Sequence, residues 1–157
     1  MSLFDAPGDE SQDEGTFYSL ASEYLEAAIT LFNTPPTQIN YWVVVYYLLG
    51  HSAELTLKSY LFDHGETVDS LRKVGHNGHD LEKLVELALK HGLSTKLSLR
   101  AINSLAPIYR SKELEYRKRK RQTFPCEQDL IDEIQALQSV VFNRIFRWGN
   151  DQSQTPA

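Results

Sequence analysis

The sequence predicts an all-α protein, an up-and-down helical bundle of four or five main helices, and three observations carry that expectation. Apolar residues recur at three- and four-residue steps in one segment after another. Proline and glycine fall between those segments, where they stop helices. No stretch alternates apolar and polar residues in a way that favours a strand over a helix. The 157 residues are 41% hydrophobic and 24% charged, enough for one sizeable core and far from a collagen-like or disulfide-scaffold composition.

The first helix begins near Thr16, with Phe17, Leu20, Tyr24, Ala27, Ala28 and Leu31 in register, and Asn33-Thr34-Pro35-Pro36-Thr37 ends it. A second helix is expected from Gln38 to His64, stopped by Gly65. It is apolar nearly all round, which suits the middle of a bundle. Its Val43-Val44-Val45-Tyr46-Tyr47 stretch would suit a strand, but the helical register continues through Leu61. A short helical piece, Val68–Val74, leads to the loop Gly75-His76-Asn77-Gly78. Asp80 then starts a helix with Leu81, Leu84, Val85 and Ala88 inward, closed by Gly92. Ser94 is the expected cap of the next helix, whose core face is Leu97, Ala101, Leu105 and Ile108, and Pro107 is expected to kink or end it near Ala106. An irregular stretch, Lys112–Pro125, precedes a last helix over Glu127–Trp148. The domain reading is an acidic disordered tail over 1–14, one bundle over 15–149, and a disordered tail over 150–157.

Charge is uneven. The net charge of −5 arises in residues 1–14, which hold five acids and no base, so the remainder carries 16 of each sign. A neutral body offers no bulk attraction for nucleic acid, and such binding must rest on a local patch. The single cysteine, Cys126, cannot form an internal disulfide, and MSLFDAPGDE has neither the basic nor the apolar region of a signal peptide. The most apolar run, Ile39–Leu49, is too short to span a bilayer. A cytoplasmic location and no membrane partner are therefore expected.

Three constellations carry candidate chemistry. His51, Glu54 and Lys58 share one face of the second helix; they either contribute to a metal site or form a Glu54–Lys58 pair with His51 hydrogen-bonded inside the bundle. A di-metal site would need matching pairs on other helices, and the sequence shows none. His76-Asn77-Gly78-His79-Asp80 places two histidines at a helix start, where amides and a partial positive charge receive an anion. Zinc there would need a ligand beyond His76, His79 and Asp80, so no metal and no cofactor is expected. The duller reading makes Asp80 a cap and ties the histidines to nearby carbonyls. Finally, Arg117-Lys118-Arg119-Lys120-Arg121 follows Tyr109, Arg110 and Tyr116. The bases would contact phosphates and the tyrosines would stack on unpaired bases, or the run is a solvated loop offset by the acidic tail. No phosphate-binding glycine loop and no nucleophile motif is present around Ser52, Ser59 or Cys126.

The segment Ser52-Ala53-Glu54-Leu55-Thr56-Leu57-Lys58-Ser59-Tyr60-Leu61, then Gly65, Leu71-Arg72-Lys73, Gly75 and Gly78-His79-Asp80-Leu81-Glu82-Lys83-Leu84, resembles the HEPN-like helical superfamily over about residues 38–117. The resemblance implies a small bundle that often dimerises, found in prokaryotic defence and toxin–antitoxin systems beside minimal nucleotidyltransferases. Some members are metal-independent endoribonucleases whose motif is an arginine, a polar residue and a later histidine; many only bind. The matching positions are Arg72 and His79, with six residues between them, and Lys73 stands where Asn, Asp or His is usual. On this basis the expected protein is a homodimer that binds RNA, a nucleotide or a protein partner such as a cognate nucleotidyltransferase or antitoxin. The alternative is a metal-independent ribonuclease in which His79 is the general base, Arg72 holds the phosphate and His76 is a second acid or base. Lys73, Tyr116 and Arg117, Lys118, Arg119, Lys120 and Arg121 are the expected RNA or phosphate contacts.

Overall fold

Helix α1 spans Glu14–Phe32, α2 Trp42–Asp63, α3 Val68–Arg72, α4 Leu81–Lys90, α5 Arg100–Arg110 and α6 Glu127–Phe142, and a π-helical turn, Asn143–Arg147, extends α6. These elements come from a computed structural model that describes residues 13–35, 41–74, 79–111 and 123–147. The chain is an all-α bundle, with no strand among the described residues. The valine run of α2 is thus helical: its neighbours supply the burial that a strand would otherwise seek.

Helix α2 is the central post and packs against α1, α4, α5 and α6. Leu49, Ala53, Leu57 and Leu61 are fully buried along it, joined by Leu84 and Ala88 of α4, Ile102 and Leu105 of α5, and Leu130, Ile134 and Leu137 of α6. Phe17, near the start of α1, lies against Phe62, near the end of α2, and Ser52 donates its hydroxyl to the Ala21 carbonyl, so α1 and α2 are antiparallel. Gln138 reaches Ser52 and Thr56, while Arg144 reaches Asp63, so α6 runs alongside α2 in the same direction.

Local chemistry explains most boundaries. Asp13, placed in the tail by composition, caps α1 by accepting the Thr16 amide at 2.7 Å, which starts the helix at Glu14. The ends of α2 and α4 share one device. His64 and His91 are the C-cap residues, and each precedes a glycine at positive φ, Gly65 at +97° and Gly92 at +96°. The amides of Glu66 and Leu93 return to the carbonyls of Leu61 and Ala88, closing a Schellman turn on each helix.

Two boundaries differ from expectation around α5. Ser94 accepts the Lys96 amide at 3.2 Å, but the helix starts only at Arg100, and Leu99 offers no side-chain cap. Glu133 of α6 does the capping instead, its carboxylate accepting the Ala101 amide at 2.8 and 2.9 Å and the Ile102 amide at 3.3 Å. Pro107 does not end the helix, which continues to Arg110. The proline is exposed, so the carbonyl it cannot serve one turn back finds water at little cost.

Candidate functional site

Glu54 sits in the middle of α2, 1% exposed, on the same face as His51 and Lys58. A carboxylate buried this deeply must be paired and hydrogen-bonded, and three elements supply donors. Lys58, one turn on, lies 3.1 Å from Oε2. Tyr109 of α5 donates its hydroxyl to Oε1 at 3.0 Å, and His79, just before α4, lies 2.6 Å from the same oxygen through Nδ1. An ionised carboxylate only accepts, so Nδ1 of His79 carries the proton and Nε2 is the ring's basic nitrogen. The His79 side chain is half exposed, so the imidazole is anchored at one nitrogen while much of the ring meets solvent.

His51 completes the chain of bonds. Its Nδ1 lies 3.0 Å from the Tyr109 oxygen; with the hydroxyl proton committed to Glu54, that nitrogen donates to the tyrosine oxygen. Burial pushes its pKa below the ordinary value. Glu54 opposes the shift, while Lys58 and His79 add to it. Tyr24 packs edge-on to the His51 ring and Tyr47 stacks against it. Gly50 is what lets Tyr109 come so close: a Cβ there would stand 2.5 Å from the tyrosine ring.

A second carboxylate borders this cluster. Asp80, 2% exposed, caps α4 by accepting the Lys83 amide at 3.3 Å, and Arg110 of α5 lies 3.3 Å from its other oxygen. Two carboxylates, Lys58, Arg110 and two imidazoles thus meet where α2, α5 and the start of α4 converge. The arrangement orients His79 and gathers positive side chains near it, which is what a phosphate or a proton transfer requires. Among the described residues no group of three or more His, Cys, Asp and Glu is arranged to hold a metal ion.

The sequence-predicted residues fare differently. His79 lies in the cluster, and Glu54 and Lys58 pair as the intrahelical spacing suggests. Arg72 ends α3 with its side chain 75% exposed, 4.0 Å from the equally solvated Asp69, and no hydrogen bond or ion pair among the described residues joins it to His79. Lys73 is the exposed C-cap of α3. His76, Tyr116, Arg117, Lys118, Arg119, Lys120 and Arg121 lie outside the described residues. Tyr109 is no stacking platform: it is 8% exposed and spends its hydroxyl on Glu54 and His51. Sequence reasoning missed the roles of Tyr109 and Arg110. Their signal was polar side chains adjoining the buried face of α5, next to Ile108.

No family model, no curated protein and no solved structure matches the chain.

Proposed function

We propose that the protein is an RNA-binding helical module of HEPN-like type, in which the exposed Nε2 of His79 accepts a hydrogen bond from an RNA 2′-hydroxyl and Arg72, Lys73 and the basic run Arg117–Arg121 contact phosphates. The supporting observation is the anchoring of His79 by Glu54: a buried carboxylate fixes the ring's tautomer and orientation while half the side chain stays in solvent. The HEPN resemblance adds the rest of the proposal: a homodimer of prokaryotic cytoplasm, in a defence or toxin–antitoxin setting, with a nucleotidyltransferase or antitoxin as protein partner.

The same anchoring favours a second reading, metal-independent cleavage. A carboxylate-oriented imidazole is suited to take the proton of an RNA 2′-hydroxyl, and acid–base help of this kind is worth about 10²–10⁴-fold. Arg72 would hold the phosphate and stabilise its developing charge.

Labelled single-stranded RNA, followed by fluorescence anisotropy in EDTA and then run on a gel, separates these readings. The binding proposal expects a complex that weakens as salt rises and loses up to about tenfold in affinity with His79→Ala, the effect of one hydrogen bond. No complex at low salt overturns it. RNA that is cut by the wild type and spared by His79→Ala establishes the second reading; RNA that stays intact removes it.

A further inference from the structure

Away from the Glu54 cluster, the ends of α2 and α4 bring a second pair of histidines together. His64 and His91 occupy the same position on the two helices, the C-cap of a Schellman turn, and their ring centroids lie 6.0 Å apart. Tyr60 ties the two ends: its ring stacks on His64 at 4.0 Å, and its hydroxyl donates to the His91 carbonyl at 3.2 Å.

The tautomer of each ring follows from its partner. His64 Nδ1 lies 2.7 Å from the Tyr60 carbonyl oxygen, which can only accept, so Nδ1 bears the proton and Nε2 holds the lone pair. His91 Nε2 lies 3.0 Å from Glu66 Oε1, and a carboxylate likewise only accepts, so the lone pair is on Nδ1. Both rings therefore donate one N–H to a carbonyl or carboxylate and keep the other nitrogen basic. That is the outer-shell pattern of metal-ligating histidines, in which the partner fixes orientation and raises basicity. At Zn–N bonds of about 2.0–2.1 Å, two imidazoles on one ion place their centres roughly 5–6 Å apart, matching the separation here.

The surroundings favour a cation. Both histidines sit at helix C-termini, the negative end of the dipole. Asp63 lies 3.8 Å from His64 Nδ1, and Glu66 is bonded to His91; among the described residues the Lys or Arg paired with these acids is Arg144, 3.1 Å from Asp63. No third protein ligand joins the pair among the described residues, so water would complete the coordination. Imidazole donors select zinc, copper or nickel over magnesium or calcium.

We infer that His64 Nε2 and His91 Nδ1 form a two-histidine site for a divalent transition-metal ion of the zinc class, bridging the C-terminal ends of α2 and α4. Such an ion would clasp the post that carries Glu54 to the helix that follows His79. It would bind only while both rings are neutral, so affinity falls as the solution becomes acidic.

Zinc chloride titrated into metal-free full-length protein, followed by calorimetry and thermal unfolding, tests this. The expected result is one ion per chain and a raised melting temperature, with His91→Gln weakening binding at least about tenfold and His79→Ala leaving it intact. Zinc that binds equally well to His91→Gln, or whose binding is abolished by His79→Ala, overturns the inference, as does no binding below millimolar zinc. Should His91→Gln not fold, zinc-dependent shifts of the His64 and His91 ring resonances in the wild type replace it. Resonances that stay unmoved at saturation refute the site.

Discussion

Among the described residues two glutamates are buried, Glu54 and Glu133, and they do opposite things. Glu133 of α6, 9% exposed, gives both oxygens mainly to backbone amides at the start of α5, and among the described residues its side-chain partner is Ser98 at 3.5 Å. Glu54 of α2, 1% exposed, accepts among the described residues from side chains: Lys58, Tyr109 and His79. The amides that Glu133 serves would be unsatisfied in any fold that starts a helix there, so its role ends with the scaffold. The donors of Glu54 are themselves ionisable or reactive groups, and one of them reaches solvent. Burial of a carboxylate is thus no sign of function by itself. What distinguishes the two is whether the donors belong to the backbone or to chemistry-bearing side chains.

That contrast is sharpest in what each loss should cost. Glu54→Ala leaves Lys58 unpaired in a half-dry site and strips Tyr109 and His79 of their acceptor, so urea unfolding should show a loss of about 3–5 kcal/mol, the cost of breaking a buried ion pair. A change below about 1 kcal/mol would show that the cluster is solvated rather than buried. Glu133→Ala removes the cap of α5 and should cost about 1–3 kcal/mol, that of leaving buried amides unsatisfied, with no effect on RNA affinity. If it weakened RNA binding while the fold held, the division between scaffold and site would fail.

The smallest effect is in pH. Burial holds the His51 pKa below the unfolded value of 6.5, against Glu54 and with help from Lys58 and His79. The folded protein therefore binds this proton less readily than the unfolded chain. Its contribution to stability is complete above about pH 6.5 and is lost as pH falls through the lower folded value. His51→Gln should flatten stability across that window in denaturation series. A slope identical to wild type would assign the acid sensitivity elsewhere.

The helices were legible because their apolar periodicity is strong and their stops are glycine and proline: Gly65 and Gly92 end α2 and α4 as their positions suggest. The capping of α5 was not. Its cap is a glutamate more than 30 residues downstream, and Ser94, the local candidate, spends its hydroxyl on a turn five residues too early. Pro107 misled because the sequence does not show that its ring faces solvent. In the site, the spacing of His51, Glu54 and Lys58 displayed one face of one helix. The decisive partners, His79 and Tyr109, arrive from 25 and 55 residues away, and only packing against Gly50 brings the tyrosine in.

Glu54 holds His79 as the Nδ1–H tautomer and leaves Nε2 basic. Long-range proton–nitrogen correlation spectra of the histidine rings, recorded at about pH 8 where an ordinary imidazole is neutral, read this directly. The expected result is a protonated Nδ1 and a bare Nε2 for His79 in the wild type, and loss of that preference in Glu54→Ala, provided the variant remains folded. A His79 ring protonated at Nε2 in the wild type would contradict it.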